Sequence, residues 1–361
     1  MHMKHYNILG ASLLALFLSL SIPSSACTGI TLKTAQGHSI LGRTVEWGGN
    51  ENKSSYVIVP RGHVQQSYLM GMKQEGMVFK AKYGYVGLSV EMPEFIIEGL
   101  NEKGLSAGLF YFPHYGDYGE ISQKDKKRTI SDMQFCSWVL GSFENVEEVK
   151  ARLSKIRISS VDPRSSTVHW RIADPSGKQI VIEVIQGEIK VYDNPLGVLT
   201  NSPDFPWQMT HLNNFINLAA GTTAPHDFGG VQLHSFGAGS AHLGLPGDVT
   251  PPSRFVRAAF YQATAPTPEN ERKGVLATFH ILNNFDIPLG VEFTDKKIPV
   301  DMPSATQWTS TSDLSGLKLY FRTMHNSNIR MIDLGKIDFG TVDFSAKPLD
   351  PVKEEPIITL N

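Results

Sequence analysis

The chain has 361 residues, 41% of them hydrophobic and 19% charged, with a formal net charge of -2. Such a composition supports one large core or two modest ones, and the balanced charge excludes a basic nucleic-acid surface or a polybasic membrane patch. Two cysteines, Cys27 and Cys136, are too few for a disulfide framework, so stability must come from the core.

The first 26 residues stand apart. Lys4 gives a positive start, residues 8–22 form an apolar run, and Ser24 and Ala26 supply the small residues of a signal-peptidase site. The run is shorter than the roughly 20 residues a membrane span needs. This reads as a signal peptide over 1–26, a single domain over 27–361 and a periplasmic or secreted location, with no stable membrane association. An uncleaved anchor or a buried N-terminal helix is the alternative. A lipoprotein would also place a cysteine after such a leader, but Ser24 stands where a lipobox has a large aliphatic residue.

Residues 28–32 and 39–46 read as strands joined by a turn at 35–38. A turn centred between Gln36 and Gly37 pairs residues whose numbers sum to 73. It sets Cys27 opposite Glu46 with Arg43 close by, so a nucleophile, a cation and a carboxylate meet at one sheet end. Residues 56–60, 95–100 and 105–112 read as further strands. A helix begins at Ser131. Asn145 with Glu148 has the spacing of a capping box and opens another helix to about residue 156. Cys136 falls among Phe135, Trp138, Val139 and Leu140, as a small buried hydrophobe would. Strands follow at 167–172, 179–185 and 189–192, and residues 199–203 end another. Residues 227–252 read as loop, 253–262 and 269–282 as helices, and 308–311, 317–322 and 329–334 as strands. Runs of strands, then helices, then strands indicate an α+β fold with a largely antiparallel sheet.

A cysteine exposed as the first residue carries both a thiol and a free α-amine. That amine, with a reference pKa near 8, can take the thiol proton directly or through water. A neighbouring arginine lowers the thiol's pKa, and a carboxylate orients the amine. Arg43 and Glu46 suit these tasks; a strand-end cysteine beside a surface ion pair is the plainer reading. A rival nucleophile is Ser106 in Gly104-Leu-Ser-Ala-Gly108, which matches the G-x-S-x-G elbow of α/β-hydrolases. An elbow needs a helix after the serine, and Leu109-Phe-Tyr-Phe-Pro113 is extended instead. A non-catalytic periplasmic or lipid-anchored binding protein is the third possibility. The 12 histidines show no H-E-x-x-H and no Cys/His metal spacing, so no metal or other cofactor is expected.

Cys27-Thr-Gly29, Gly42-Arg43-Thr-Val-Glu46-Trp47, Gly99-Leu-Asn-Glu-Lys-Gly-Leu105, Leu199-Thr-Asn201-Ser-Pro203 and Leu245-Pro-Gly-Asp-Val-Thr-Pro-Pro-Ser-Arg254-Phe follow in order. Together they resemble the choloylglycine hydrolase family of bile salt hydrolases and penicillin V acylases. The resemblance implies an αββα sandwich of the N-terminal-nucleophile hydrolases, cleavage of a linear amide beside a bulky apolar group in a small molecule, and a homotetramer. It also implies Cys27 as nucleophile, Arg43 beside it, Asn201 as an oxyanion donor and Arg254 as a further active-site arginine. Glu46 stands where the family most often has Asp. Phe110 or Tyr111 falls where bile salt hydrolases have Asn and penicillin acylases Tyr. That aromatic pair and the leader resemble the Gram-negative penicillin V acylase branch, which is also associated with N-acyl homoserine lactones. Trp47 is an aromatic wall for the acyl group or a core residue. Penicillin V, acyl homoserine lactones and conjugated bile salts are the substrate candidates.

Overall fold

The computed structural model describes residues 25–162, 166–292, 299 and 302–360. The expected leader lies outside the described residues as far as residue 24.

The chain opens with β1 (Ser25–Lys33) and β2 (Ser39–Trp47), an antiparallel hairpin. Then come β3 (Ser54–Val59), a small hairpin of Val64–Leu69 with Lys73–Lys80, and the successive strands β4 (Tyr85–Val90), β5 (Ile96–Asn101) and β6 (Ser106–Tyr111). Helices α1 (Phe135–Ser142) and α2 (Val146–Leu153) precede a meander of β7 (Val168–Ala173), β8 (Gln179–Ile185) and β9 (Glu188–Asp193). Helices α3 (Phe205–His211), α4 (Pro251–Thr264) and α5 (Glu271–Leu282) follow. The chain closes with β10 (Thr306–Asp313), β11 (Lys318–Thr323), β12 (Asn326–Asp333) and β13 (Ser345–Pro348).

Two antiparallel sheets result. One has five strands in the order β1-β2-β10-β11-β12, the other eight in the order β9-β8-β7-β6-β5-β4-β3-β13. Helices α4 and α5 pack on the first sheet, and α1 packs on the second. Apolar side chains of both sheets meet between them: Leu41, Val45, Trp308 and Phe321 share a core with Leu88, and the Phe321 ring lies 6.5 Å from that of Tyr56. Helix, sheet, sheet, helix is the layer order, as expected. The capping residue of α2 is Asn145, whose side chain accepts from the Glu148 N–H at 2.9 Å. Cys136 is fully buried in α1.

Three local expectations need correction. The first hairpin is out by one residue: its partners sum to 72, so Cys27 faces Val45 and Glu46 faces Ala26. The loop spans five residues, 34–38, with Gly37 at φ +86° and the Thr34 N–H donating to the His38 carbonyl. An odd-length loop with a left-handed glycine shifts the register of an even-length turn by one. Residues 199–203 make only an isolated bridge, Leu199 to Gly29, rather than ending a strand. The stretch expected as loop contains a short pairing of His226–Phe228 with Val231–Leu233. In the eight-stranded sheet two strands escape the pattern reading, β4 and the edge strand β13, and outside it so do the small hairpin and the short strands Thr129–Ser131 and Arg157–Ser159. Both faces of β4 are buried, which removes the alternation that marks a strand.

Candidate active site

Register decides which side chains converge. Side chains alternate across a strand, so Cys27, Val45 and Arg43 share the face toward the eight-stranded sheet, and Glu46 shares the opposite face with Ala26 and Thr28. On the inner face Arg43 Nη2 donates to Cys27 Sγ at 2.9 Å. Its Nη1 donates to the carbonyls of Leu109 (2.5 Å) on β6 and Ile97 (3.0 Å) on β5. The guanidinium also lies over the Phe110 ring, 4.1 Å from its centroid.

A buried arginine needs a counter-charge. Glu98 supplies it, with Oε2 3.6 Å from Arg43 Nη1 and both side chains nearly inaccessible. Burial pushes the Glu98 carboxyl up, against the attraction of Arg43 and Arg171. Glu98 is the residue that sequence reading missed. Its signal was present: one acid inside the apolar run Phe-Ile-Ile-Glu-Gly-Leu. Two glycines make the approach possible. A Cβ on Gly29 would lie 2.8 Å from Arg171 Nη1, and one on Gly108 would lie 2.5 Å from Glu98 Oε2.

The other polar atoms of Cys27 are held from the turn after Leu199 and from α4. The Cys27 N–H donates to Asn201 Oδ1 at 2.9 Å. Arg254 Nη1 donates to the Cys27 carbonyl and, at 2.9 Å, to Thr28 Oγ1; its Nη2 donates to Asn201 Oδ1 at 2.6 Å. These donors fix which end of the Asn201 amide is oxygen. Asn201 Nδ2 gives one hydrogen to the Tyr111 carbonyl at 2.7 Å, and its second has no acceptor among the described residues.

The thiol does not behave as Arg43 alone would dictate. Burial pushes the Cys27 thiol above its ordinary value, and this outweighs the lowering by Arg43, by the Tyr111 N–H and by Arg254; Glu46 adds to the rise. Desolvating a charge costs more here than one guanidinium returns. Glu46 is buried beside the hydroxyls of Thr44 and Thr306, the latter 3.5 Å from Oε1. Burial pushes its carboxyl up to about 8, against the attraction of Arg254.

The aromatic candidates separate. Phe110 is wholly enclosed, with Arg43 on one side and Arg171 at 5.6 Å, and has no surface to offer a ligand. Tyr111 and Trp47 are half-buried. Trp47 stands on the Cys27 face, pairs with Ser25 in register and donates from Nε1 to Asn50 Oδ1 at 2.9 Å, so it is not a closed core residue. Ser106 opens β6 rather than an elbow, is 2% exposed and lies 3.4 Å from Glu98 Oε1 with no histidine bonded to it. Ser106→Ala is therefore expected to retain wild-type turnover within a few-fold, at a cost of about 1 kcal/mol in a denaturant melt; loss of turnover there would restore the serine. Among the described residues no group of three or more His, Cys, Asp or Glu side chains could hold a metal.

Two facing antiparallel sheets between helix layers, with Cys27 near the start of the first strand, define the N-terminal-nucleophile hydrolase fold. Residues 27–347 match the pattern of the linear amide C-N hydrolases, choloylglycine hydrolase family, and the chain belongs to it. It is accordingly an amide hydrolase. A bile salt hydrolase/transferase of Clostridium perfringens is 32% identical over 86% of this chain and 93% of its own. A penicillin V acylase of Pectobacterium atrosepticum is 26% identical over 95% and 90%. The crystal structure of a cysteine-to-alanine mutant of the conjugated bile acid hydrolase from Clostridium perfringens superposes with a TM-score of 0.78 at 30% identity, covering 93% of this chain and all of that one.

Proposed function

We propose that the mature protein begins at Cys27 and hydrolyses a linear amide with that residue as nucleophile. One observation carries the reading: the sulfur, nitrogen and carbonyl oxygen of Cys27 are each held by a different side chain, Arg43, Asn201 and Arg254 respectively. A strand-end cysteine with a structural task has no need of three buried polar partners. Because burial favours the neutral thiol, a base must take its proton during attack. The freed α-amine, held by Asn201, is adjacent to the sulfur on the same residue. The Tyr111 N–H and the second hydrogen of Asn201 Nδ2 are the donors for the oxyanion, and Arg43 holds the sulfur. The amine product leaves first; water then releases the acyl group and regenerates the thiol.

Glu46 fits as the acid facing that amine. It sits across the hairpin from Ala26, whose carbonyl forms the peptide bond to be cut. While the peptide is intact, its carboxyl is raised to about 8. A folded-state value above the ordinary one means the folded chain binds a proton the unfolded chain has lost, so this group's contribution to stability falls between pH 4.5 and 8. Glu46→Gln in a chain retaining Ala26 is expected to remove that fall, gaining a few kcal/mol at pH 8 and almost nothing at pH 5 in paired melts. In the processed enzyme the gain shrinks, because the liberated ammonium lowers the Glu46 carboxyl.

The acyl side of the substrate is apolar and lies against Trp47 and Tyr111. The tyrosine supports a phenoxyacetyl amide such as penicillin V; the higher identity to the bile salt hydrolase supports glycine- or taurine-conjugated bile salts. Acyl homoserine lactones share the same apolar acyl chemistry. A panel of penicillin V, glycocholate, taurocholate and a long-chain acyl homoserine lactone tests the reading on purified enzyme whose intact mass starts at unmodified Cys27. A lipid on Cys27, or no turnover of any of the four, would count against it. A periplasmic location and a homotetramer belong to the same proposal, checked by cell fractionation and light scattering.

A further inference from the structure

A buried polar pair behind the turn that carries Asn201 takes no part in the chemistry above. His169 on β7 and Glu183 on β8 have no solvent exposure. Glu183 Oε1 lies 3.1 Å from His169 Nδ1 and accepts the Phe205 N–H at 2.9 Å. His169 Nε2 lies 3.2 Å from the Thr200 carbonyl. The imidazole stacks on Phe112 at 4.4 Å and meets Phe110 edge-on at 6.2 Å. The pair therefore grips the turn at residue 200 and at residue 205, with Asn201 between the grips.

Counting protons shows what the pair must be. A carbonyl only accepts, so Nε2 carries a hydrogen. Nδ1 then either carries a second hydrogen toward a carboxylate or takes one from a neutral Glu183. In both arrangements the pair is formally neutral and uses both ring nitrogens, as a dry interior requires. We infer that His169 and Glu183 are positioning residues for amide cleavage, holding residues 200–205 so that Asn201 faces Cys27. The inference rests on the reading of Cys27 as nucleophile.

Glu183→Gln separates this role from mere filling of space. The amide has the same shape but cannot balance a charged ring or donate an acidic proton. With the Gln oxygen toward Phe205, a neutral imidazole has one hydrogen for two acceptors, so the grip on Thr200 or on residue 183 is lost. On whichever panel substrate is turned over, Glu183→Gln is expected to lower kcat tenfold or more with KM changed less than twofold. In an Asn201→Ala background the same substitution is expected to cost less than twofold, since the residue it acts through is gone. His169→Gln, whose amide nitrogen falls near Nε2, is expected to keep at least fivefold more kcat than His169→Ala, and serves if Glu183→Gln does not fold. Wild-type kcat in Glu183→Gln, an undiminished loss in the Asn201→Ala background, or equal His169→Gln and His169→Ala rates would overturn the inference alone. Turnover surviving in Cys27→Ala would overturn the nucleophile reading and this inference together.

Discussion

Cys27→Ala is expected to fold and to hydrolyse no amide, and Cys27→Ser to be slower than wild type by about 10³-fold or more. The serine keeps the size and the contacts of the residue, but its hydroxyl has a far higher pKa than a thiol and the same amine must now deprotonate it. A chain made to retain Ala26 ahead of Cys27 is expected to be equally silent with its thiol intact. Its nitrogen remains a peptide N–H, as it is in the contact with Asn201, and an amide nitrogen is no base. Turnover of the retained-Ala26 form, with its mass confirmed before and after assay, is the decisive measurement; near-normal rates would refute the assignment. A silent chain whose thiol also fails to react with iodoacetamide would indicate that Ala26 covers the sulfur. Ala26 packs with Ile287, Leu289, Met302 and Ala305 on the strand face opposite the sulfur, so a silent chain whose thiol still reacts is the expected result.

Arg43→Met is expected to lose activity and stability together, and the second loss is separable from the first. The methionine fills part of the space but takes from buried Glu98 the nearer of its two cations, leaving only Arg171, which costs up to about 3–5 kcal/mol. Adding Glu98→Gln removes the weakly paired charge and is expected to restore part of the melting temperature, the remainder being the carboxylate lost to buried Arg171. Activity should stay down by about 10²-fold or more, since the donor 2.9 Å from Cys27 Sγ is still missing. Thermal melts and steady-state kinetics on the single and double variants check this. Equal recovery of stability and turnover in the double variant would mean that Arg43 is only scaffolding.

Much of the site was legible because its parts are local. Cys27 next to a small-residue leader, Arg43 in the returning strand, Asn201 before a proline and Arg254 after a pair of prolines each stand in a recognisable setting. The structure brings these four within direct hydrogen-bond reach of Cys27 or of one another. The partners of Glu98 and of the His169–Glu183 pair were not legible. Each of these three is an ionisable residue in an apolar strand, and only the neighbouring strand shows what it faces. Glu98 meets Arg43 across the gap between sheets, and His169 meets a turn about thirty residues later in the chain.

The amino-acid order alone determined that residues 28–46 form a hairpin, that strands and helices alternate in blocks, and which residue types could carry amide cleavage. Those are properties of neighbours along the chain, set by turn chemistry and side-chain alternation. Tertiary structure decided which face each residue took. One extra residue in the 34–38 loop put Glu46 on the side away from the sulfur, and packing of the second sheet made Glu98 the partner of Arg43. It also decided the sign of the thiol's shift. Desolvation depends on everything that surrounds an atom, and that is fixed only when distant strands close over it.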